Sequence, residues 1–309
     1  MNHLKSIFLT SALISSLSFT ANAEINVVAS VKPIHSLVSG VMEGIGRPDL
    51  IVKDAASPHT YSLRPSQARQ LEDADLVFWM GHELESFLEQ PLEAIATKAH
   101  VVELIDSSKL KKIKMREGGM FDAHAHDDHD EHEGHGEFDV HVWLDPENAK
   151  VLVDEIKLAL IELDPVNASK YESNSNKMNM KLDQLIDEVS KKLESEQGKG
   201  YVVFHDAYQY FEQRFGMSAV GSITVSPEVV PGANRIRELK NKINELNAHC
   251  VFSEPQFEPK LVSTVIEGTQ ANTGVLDPLG ASIKDGPELY FTLIRNMADS
   301  LHECLSKKD

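Results

Sequence analysis

The sequence predicts an α/β protein with two doubly wound lobes, mainly parallel sheets, and one long rigid helix that joins the lobes. Three observations lead to this fold class. Short apolar runs alternate with helical patterns in the first half of the chain, the same alternation returns in the second half, and a long polar helical pattern lies between them. Such alternation is typical of parallel sheets covered by helices. The 309 residues are enough for two domains of this kind.

The first 23 residues are expected to be a cleavable signal peptide. Lys5 precedes an apolar stretch rich in small residues from Ser6 to Phe19, and Ala21-Asn22-Ala23 has the pattern of a cleavage site. No cysteine lies at that site, and no later stretch is apolar for long enough to cross a bilayer. We therefore expect a soluble protein exported to the periplasm.

The first lobe is predicted to span residues 24–163. Its apolar, β-branched runs predict strands, and the patterns between them predict helices. The predicted strands are Ile25 to Val31, Leu50 to Lys53, Leu76 to Met80 and Val101 to Leu104. The predicted helices begin near Pro33, Pro65 and Leu84.

A histidine-rich insertion at residues 122–137 interrupts this lobe. It reads DAHAHDDHDEHEGHGE, and its irregular spacing and glycines favour a flexible loop over a fixed site. Imidazoles interleaved with carboxylates are typical of metal binding, so we interpret the insertion as an accessory metal-collecting loop. The alternative is a solvated acidic loop whose histidines only titrate. The five histidines are His124, His126, His129, His132 and His135.

A linker helix is predicted for residues 164–198, between the lobes. Asp164-Pro165 opens the pattern, and Gly198 ends it. A helix of about thirty residues would be some 45 Å long, enough to connect two lobes rigidly. The alternative is an ordinary amphipathic helix within one lobe. The apolar positions at helical spacing are Met178, Leu182, Leu185, Ile186, Val189 and Leu193.

The second lobe is predicted to span residues 199–309. It contains both cysteines of the chain, Cys250 and Cys304, and an even pair in an exported protein indicates one disulfide. Such a bond would stabilise the fold by about 4 kcal/mol in the chain-entropy model. The alternative is a pair of thiolate metal ligands. The predicted strands are Tyr201 to His205, Ala219 to Ile223, Cys250 to Ser253 and Gly274 to Leu276, and the predicted helices begin near Asn234, Pro259 and Glu288.

Three histidines outside the insertion are candidates for an ordered site. His59 lies in a turn-rich stretch after a strand-like run, His141 opens HVWLDP directly after the insertion, and His205 ends the apolar run in YVVFHD. In open α/β sheets, groups at the carboxyl ends of strands meet at a ligand-binding crevice, so these histidines are candidates for a shared site. Asp277, in VLDPLG, is a fourth candidate. Three imidazoles and one oxygen suit tetrahedral zinc, whereas calcium and magnesium prefer oxygen ligands and manganese a mixed set. The formal charge of −18 also argues against a nucleic-acid partner.

Several local strings together resemble the zinc-specific substrate-binding proteins of ABC transporters, the ZnuA type. These strings are ASPHTYSLRPSQARQLEDADLVFWMG, HVWLDPENA, VVFHDAYQYFEQRFG, SPEVVPGANRI, FSEPQFEP and TGVLDPLG. They occur in the family's order over essentially the whole mature chain. The resemblance implies a periplasmic receptor that holds Zn²⁺ between two α/β lobes and delivers it to an ABC transporter membrane permease. It does not imply an enzyme, and we expect a monomer.

The resemblance also implies roles for particular residues. His59, His141 and His205 match the zinc-binding histidines of the family, and Cys250 and Cys304 match a disulfide of its zinc-specific branch. Some members carry a glutamate ligand directly before the first histidine, where this chain has Pro58. The fourth ligand is therefore expected to be Asp277 or a water. The family's histidine-rich insertions are consistent with an accessory role for residues 122–137.

Two other functions share the predicted three-histidine site. Three histidines with an open water position also occur in zinc hydrolases, but the chain has no HExxH pattern. A surface adhesion protein that uses zinc structurally is the second alternative. Turnover that depends on His205 would favour the hydrolase, and unfolding on chelation would favour the adhesion protein.

Overall fold

Each half of the chain forms a four-stranded parallel sheet in the computed structural model. The structure describes residues 25–116, 137–224, 227, 231–245, 248–258 and 260–307. The predicted signal peptide and the five histidines of the insertion lie outside these residues. Both sheets are parallel with helices in the connections, which confirms the predicted fold class.

The first sheet has the strand order β2-β1-β3-β4. Its short apolar strands are buried in the middle, and α1 opens with Pro33 in its first turn, where proline is favoured. The strands are β1 (Val27–Ala29), β2 (Asp49–Leu50), β3 (Leu76–Trp79) and β4 (His100–Glu103), and the helices are α1 (Lys32–Val41), α2 (Pro65–Asp73) and α3 (Ser86–Ala94).

Two long helices follow, α4 (Pro146–Leu163) and α5 (Ala168–Leu193). The Asp145 side chain accepts a hydrogen bond from the Glu147 backbone N–H and so caps α4, a contact that contributes about 1 kcal/mol. The 26 residues of α5 give a helix about 39 Å long within the predicted linker range. This helix packs against α1, α4 and α9 (Leu289–Leu305). The domain boundaries placed at its two ends stay a prediction.

The second sheet has the order β6-β5-β7-β8, which repeats the relative order of the first. Two of its strands, β5 (Tyr201–His205) and β7 (Cys250–Ser253), coincide with the predicted segments. The predicted disulfide between Cys250 and Cys304 is confirmed, and it joins the start of β7 to α9. The other elements are β6 (Ala219–Thr224), β8 (Asn272–Val275), α6 (Gln209–Phe215), α7 (Ala233–Glu245) and α8 (Lys260–Ile266).

One buried apolar cluster includes residues from both sheets and from α1, α4, α5 and α9. Trp143 and Tyr290, from opposite halves of the chain, are both completely buried in it. A second, smaller cluster lies under α7 and α8. Among the described residues, no helix has the length and apolar character that crossing a bilayer requires.

Candidate metal site

Three elements bring the candidate histidines to one place. His59 lies in a 3-10 turn, Pro58–Thr60, that follows β2. His141 precedes the 3-10 turn Val142–Leu144, which the chain enters on its return from the insertion. His205 is the last residue of β5, at the carboxyl end of a central strand.

The side chains of these three histidines converge. One ring nitrogen from each lies within 4.8 Å of the other two, the only such group of potential metal donors among the described residues. The ring centroids are 5.6 Å apart for His59 and His141, 5.8 Å for His59 and His205, and 5.3 Å for His141 and His205. His141 and His205 are buried, and His59 is partly exposed. A zinc ion with nitrogen ligands at about 2.0–2.1 Å fits such a set after small side-chain adjustments.

Two of the histidines are oriented by buried carboxylates. Asp139 Oδ1 lies 2.7 Å from His141 Nδ1, and Glu254 Oε1 lies 2.7 Å from His205 Nδ1. A carboxylate that accepts from Nδ1–H leaves Nε2 unprotonated and available to a metal. His205 Nε2 is buried and has no hydrogen-bond partner among the described residues, which fits this arrangement.

The electrostatic environment keeps two of the imidazoles neutral. Burial, with a contribution from the neighbouring histidines, lowers the pKa of His59 to about 2 and that of His141 to about 3. Burial acts in the same direction on His205, but the charge and hydrogen bond of Glu254 outweigh it and raise the His205 pKa. Neutral imidazole is the form that binds metals, so His59 and His141 are ready to bind over the physiological pH range.

A buried ion cluster lies beside His205. The Arg116 guanidinium forms ion pairs with Asp206 and Glu212, so the last described residue before the insertion is bound to the second lobe. Burial raises the pKa values of both carboxyls, and Arg116 opposes that rise.

Asp277 has other partners in this structure. Its carboxylate accepts hydrogen bonds from the backbone N–H groups of residues 279, 280 and 281, and from Gln256 Nε2 at 2.9 Å. The carboxylate thus stabilises the turn after β8, while the neighbouring Pro278 and Leu279 reach the cavity beside the histidines. The three histidines come together without Asp277.

The cavity between the histidines is small. Its volume is about 10 Å³, which is space for one water-sized particle. Apolar side chains form much of its wall, including Leu84, Trp143 and Phe257. The space among the three rings therefore suits a single ion.

Sequence reasoning did not single out Asp139 and Glu254. Two signals could have indicated them. Asp139 lies two residues before His141, and Glu254 directly follows β7, the strand paired with the one that ends in His205. The carboxyl ends of paired parallel strands are neighbours, so a carboxylate there is within reach of the histidine.

Comparisons with known proteins identify the family of this chain. A family described as "Zinc-uptake complex component A periplasmic", ZnuA, matches residues 27–304. The chain belongs to the ZnuA family. A protein from Brucella suis, "High-affinity zinc uptake system protein ZnuA", is 51% identical to it, and the alignment covers 99% of this chain and 100% of that protein. A protein of the same name from Yersinia pestis is 36% identical, with 98% of both chains covered.

Solved structures support the fold. The "periplasmic zinc binding protein TroA from Treponema pallidum" superposes with a TM-score of 0.79 at 20% identity, covering 92% of this chain and 100% of that one. The two-lobe α/β architecture is therefore shared with TroA. The resemblance to the ZnuA family seen in the sequence is confirmed.

Membership in the ZnuA family defines the general function. The protein is a zinc-binding component of a periplasmic zinc-uptake system, and Zn²⁺ is its ligand. ZnuA proteins form a family of transport receptors that work with an ABC permease, so the family is not one of enzymes.

Proposed function

We propose that the protein captures Zn²⁺ with His59, His141 and His205 between its lobes and delivers the ion to an ABC transporter permease. The observation that carries this proposal is the convergence of three imidazole nitrogens within 4.8 Å in a member of a zinc-uptake family. Capture requires no covalent chemistry. Two ligands are neutral before the ion arrives, and carboxylates orient two of the three rings.

The fourth zinc position is assigned to a water. Asp277 uses both carboxylate oxygens for the turn after β8, so coordinating zinc would require it to give up some of those hydrogen bonds. The chain has Pro58 before His59, and its side chain has no donor atom for a metal. Water is the usual fourth ligand where a protein supplies three to zinc.

The remaining parts of the chain have supporting roles in this proposal. Residues 1–23 direct export to the periplasm and are removed. The histidines of the insertion raise the local concentration of zinc and bind it more weakly, because a flexible segment loses entropy on ordering. The receptor acts as a monomer, catalyses no reaction, and meets the permease with its zinc-loaded form.

Calorimetric zinc titration of the mature, chelator-stripped protein tests the proposal. The comparison includes His59→Ala, a deletion of residues 122–137, and the control His82→Ala, which removes an exposed histidine of the same lobe. We expect one tight site that the deletion and His82→Ala retain and His59→Ala loses. If the deletion removes tight binding and His59→Ala keeps it, the site lies elsewhere. Unfolding of the stripped protein would instead indicate a structural zinc.

A further inference from the structure

His141 belongs to the first half of the chain, but side chains from the second half hold its carboxylate partner. Gln209 Nε2 donates to Asp139 Oδ2 at 3.2 Å. The Tyr210 hydroxyl donates to the Asp139 backbone carbonyl at 2.7 Å and accepts from the Ile113 backbone N–H at 3.0 Å. Asp139, Gln209 and Tyr210 are all buried, at 2%, 6% and 1% exposure. Asp139 is thereby held on its carboxylate and its carbonyl by one helix, α6.

The segment that follows His141 is held in the same way. Arg214, also on α6, makes two hydrogen bonds to the Asp145 carboxylate, at 2.6 and 2.8 Å. Trp143 Nε1 donates to the Pro278 carbonyl at 2.9 Å, and the Tyr290 hydroxyl donates to the Trp143 carbonyl at 2.6 Å. The position of residues 139–145 therefore depends on the second lobe.

The supporting helix is continuous with the third histidine. Gln209 is the first residue of α6 and lies four residues after His205, the last residue of β5. A short turn connects them, in which the Ala207 backbone N–H donates to the His205 carbonyl at 3.0 Å. One segment thus carries His205 and also holds the partner of His141.

His59 lacks such support. In the described part of the chain, no carboxylate lies within ion-pairing distance of its ring, in contrast to His141 and His205. The described hydrogen bonds around its turn stay in the first lobe, where Tyr61 and Gln67 bond to the Ile51 carbonyl. The described hydrogen bonds that hold the His59 turn therefore come from the first lobe, and His59 meets the described residues of the second lobe only through ring and cavity contacts.

We infer that Gln209 and Tyr210 are positioning residues for zinc binding, which orient His141 through Asp139 and fix it relative to His205. His141, which the second lobe holds through Asp139, then forms a pre-assembled pair with His205. His59 is the ligand that joins this pair from the first lobe. This inference rests on the proposed function. Gln209 and Tyr210 do not contact the ion in this arrangement.

The test measures zinc affinity by competition with a chromophoric chelator in the full mature protein. Gln209→Met keeps the side-chain volume and removes the donor to Asp139. We expect zinc affinity to fall about tenfold, the lower end of the scale for losing the outer partner of a ligand, because Gln209 acts through that partner. Tyr210→Phe is a second variant that removes only the hydroxyl. We expect the visible absorption of the Co²⁺-loaded protein to change in both variants, because the His141 ring moves.

Gln213→Met is the matched control. Gln213 lies on the same helix and also bonds across the lobes, accepting from Lys111 Nζ at 3.0 Å, but it does not reach Asp139. We expect its zinc affinity and Co²⁺ spectrum to match those of the unmodified protein. An equal loss in Gln213→Met and Gln209→Met would show that cross-lobe bonding in general matters, and the positioning role would be wrong.

A double-mutant comparison separates this inference from the proposed function. If Gln209 acts through His141, Gln209→Met should change affinity by less than about twofold in a His141→Ala background and keep its tenfold effect in a His59→Ala background. An undiminished effect in the His141→Ala background would overturn the inference while leaving the site intact. Zinc binding unaffected by His59→Ala and His141→Ala would overturn the proposed function itself.

Discussion

The two lobes have the same strand order but present their histidines differently. The second lobe places His205 at the end of a central strand, and Glu254 directly follows the neighbouring strand. The first lobe has Ser30 after its equivalent central strand β1 and presents His59 and His141 from turns. A strand end is positioned by the hydrogen bonds of the sheet, whereas a turn needs support from outside. His141 receives that support from the second lobe and His59 does not.

His205 and His59 also differ in their electrostatic environment. His205 has a raised pKa because Glu254 stabilises its charged form, and the same carboxylate would stabilise a bound cation. Burial, together with the neighbouring imidazoles of His141 and His205, lowers the pKa of His59 to about 2. The second lobe thus supplies the fixed, electrostatically supported side of the site. Within the first lobe, the turn that carries His59 supplies its adjustable side.

Removing a histidine gives the largest expected effect. We expect His205→Ala and His59→Ala each to lower zinc affinity by more than about 100-fold, because losing a ligand exceeds the loss of an outer partner. His205→Ala should also lower the free energy of unfolding of the zinc-free protein by about 1–3 kcal/mol, because the buried Glu254 carboxylate loses its imidazole partner, although it keeps the backbone N–H of residue 205. Chelator competition and urea unfolding measure the two quantities. If His59→Ala lowered the free energy of unfolding as much as His205→Ala does, the difference in support between these two histidines would be wrong.

Changing a carboxylate partner gives the next largest effect. Glu254→Gln and Asp139→Asn are each expected to weaken zinc binding by roughly 10–100-fold, because an amide no longer enforces the tautomer that leaves Nε2 free. In Glu254→Gln, NMR titration should also show a lower His205 pKa, since the charge that raises it is gone. The control is Glu258→Gln, which changes an exposed carboxylate on the same segment. Unchanged zinc affinity in Glu254→Gln would show that the Glu254 carboxylate does not strengthen zinc binding by His205, and the proposed difference between the lobes would be wrong.

The pH dependence of zinc binding should come mainly from the second lobe. Protonated imidazole cannot bind zinc, so affinity is lost as pH falls through the pKa of a ligand. His205, with a raised pKa, is protonated first, whereas His59 and His141 stay neutral down to about pH 2 and 3. Below the His205 pKa we expect affinity to fall about tenfold per pH unit, as for competition by one proton.

Competition measurements between pH 5 and 8 check this pH dependence. In Glu254→Gln the decline should begin at a lower pH. A decline that is the same in both proteins would assign the titration to other groups.

The disulfide should have the smallest effect on zinc. It joins the start of β7 to α9, whereas Glu254 follows the other end of β7. We expect the double substitution Cys250→Ser and Cys304→Ser to lower the free energy of unfolding by about 4 kcal/mol and to change zinc affinity by less than about twofold. A large loss of zinc affinity would show that the second lobe is less rigid than its sheet implies.

The sequence predicted the strands of the second lobe closely. Tyr201–His205 and Cys250–Ser253 are continuous apolar runs, as expected for buried strands of a parallel sheet. The first strand was predicted as Ile25 to Val31 and is only Val27–Ala29, because the apolar run continues into the residues before α1. Apolar residues before a helix and apolar residues in a strand look alike in a short run.

The candidate site was predictable only in part. His205 could be identified because it ends a strand-like run, His59 because it lies in a turn-rich stretch after one, and His141 because it opens HVWLDP after the insertion. The structure brings the three together. The contact of Gln209 with Asp139 depends on how α6 packs across the lobes, which no local pattern records. The role of Asp277 in its turn could have been read from Asp-Pro-Leu-Gly, since aspartate often accepts from the backbone just after it.

The continuous apolar core limits how this receptor can be emptied. Trp143 and Tyr290 meet between the lobes, and exposing a large apolar side chain costs about 1.5–3 kcal/mol. Swinging the halves apart like jaws would expose many such side chains at once. Shifting the turn around His59 would keep its described hydrogen bonds within the first lobe. Moving that one turn away from a bound ion would therefore cost less than separating the two halves of the core.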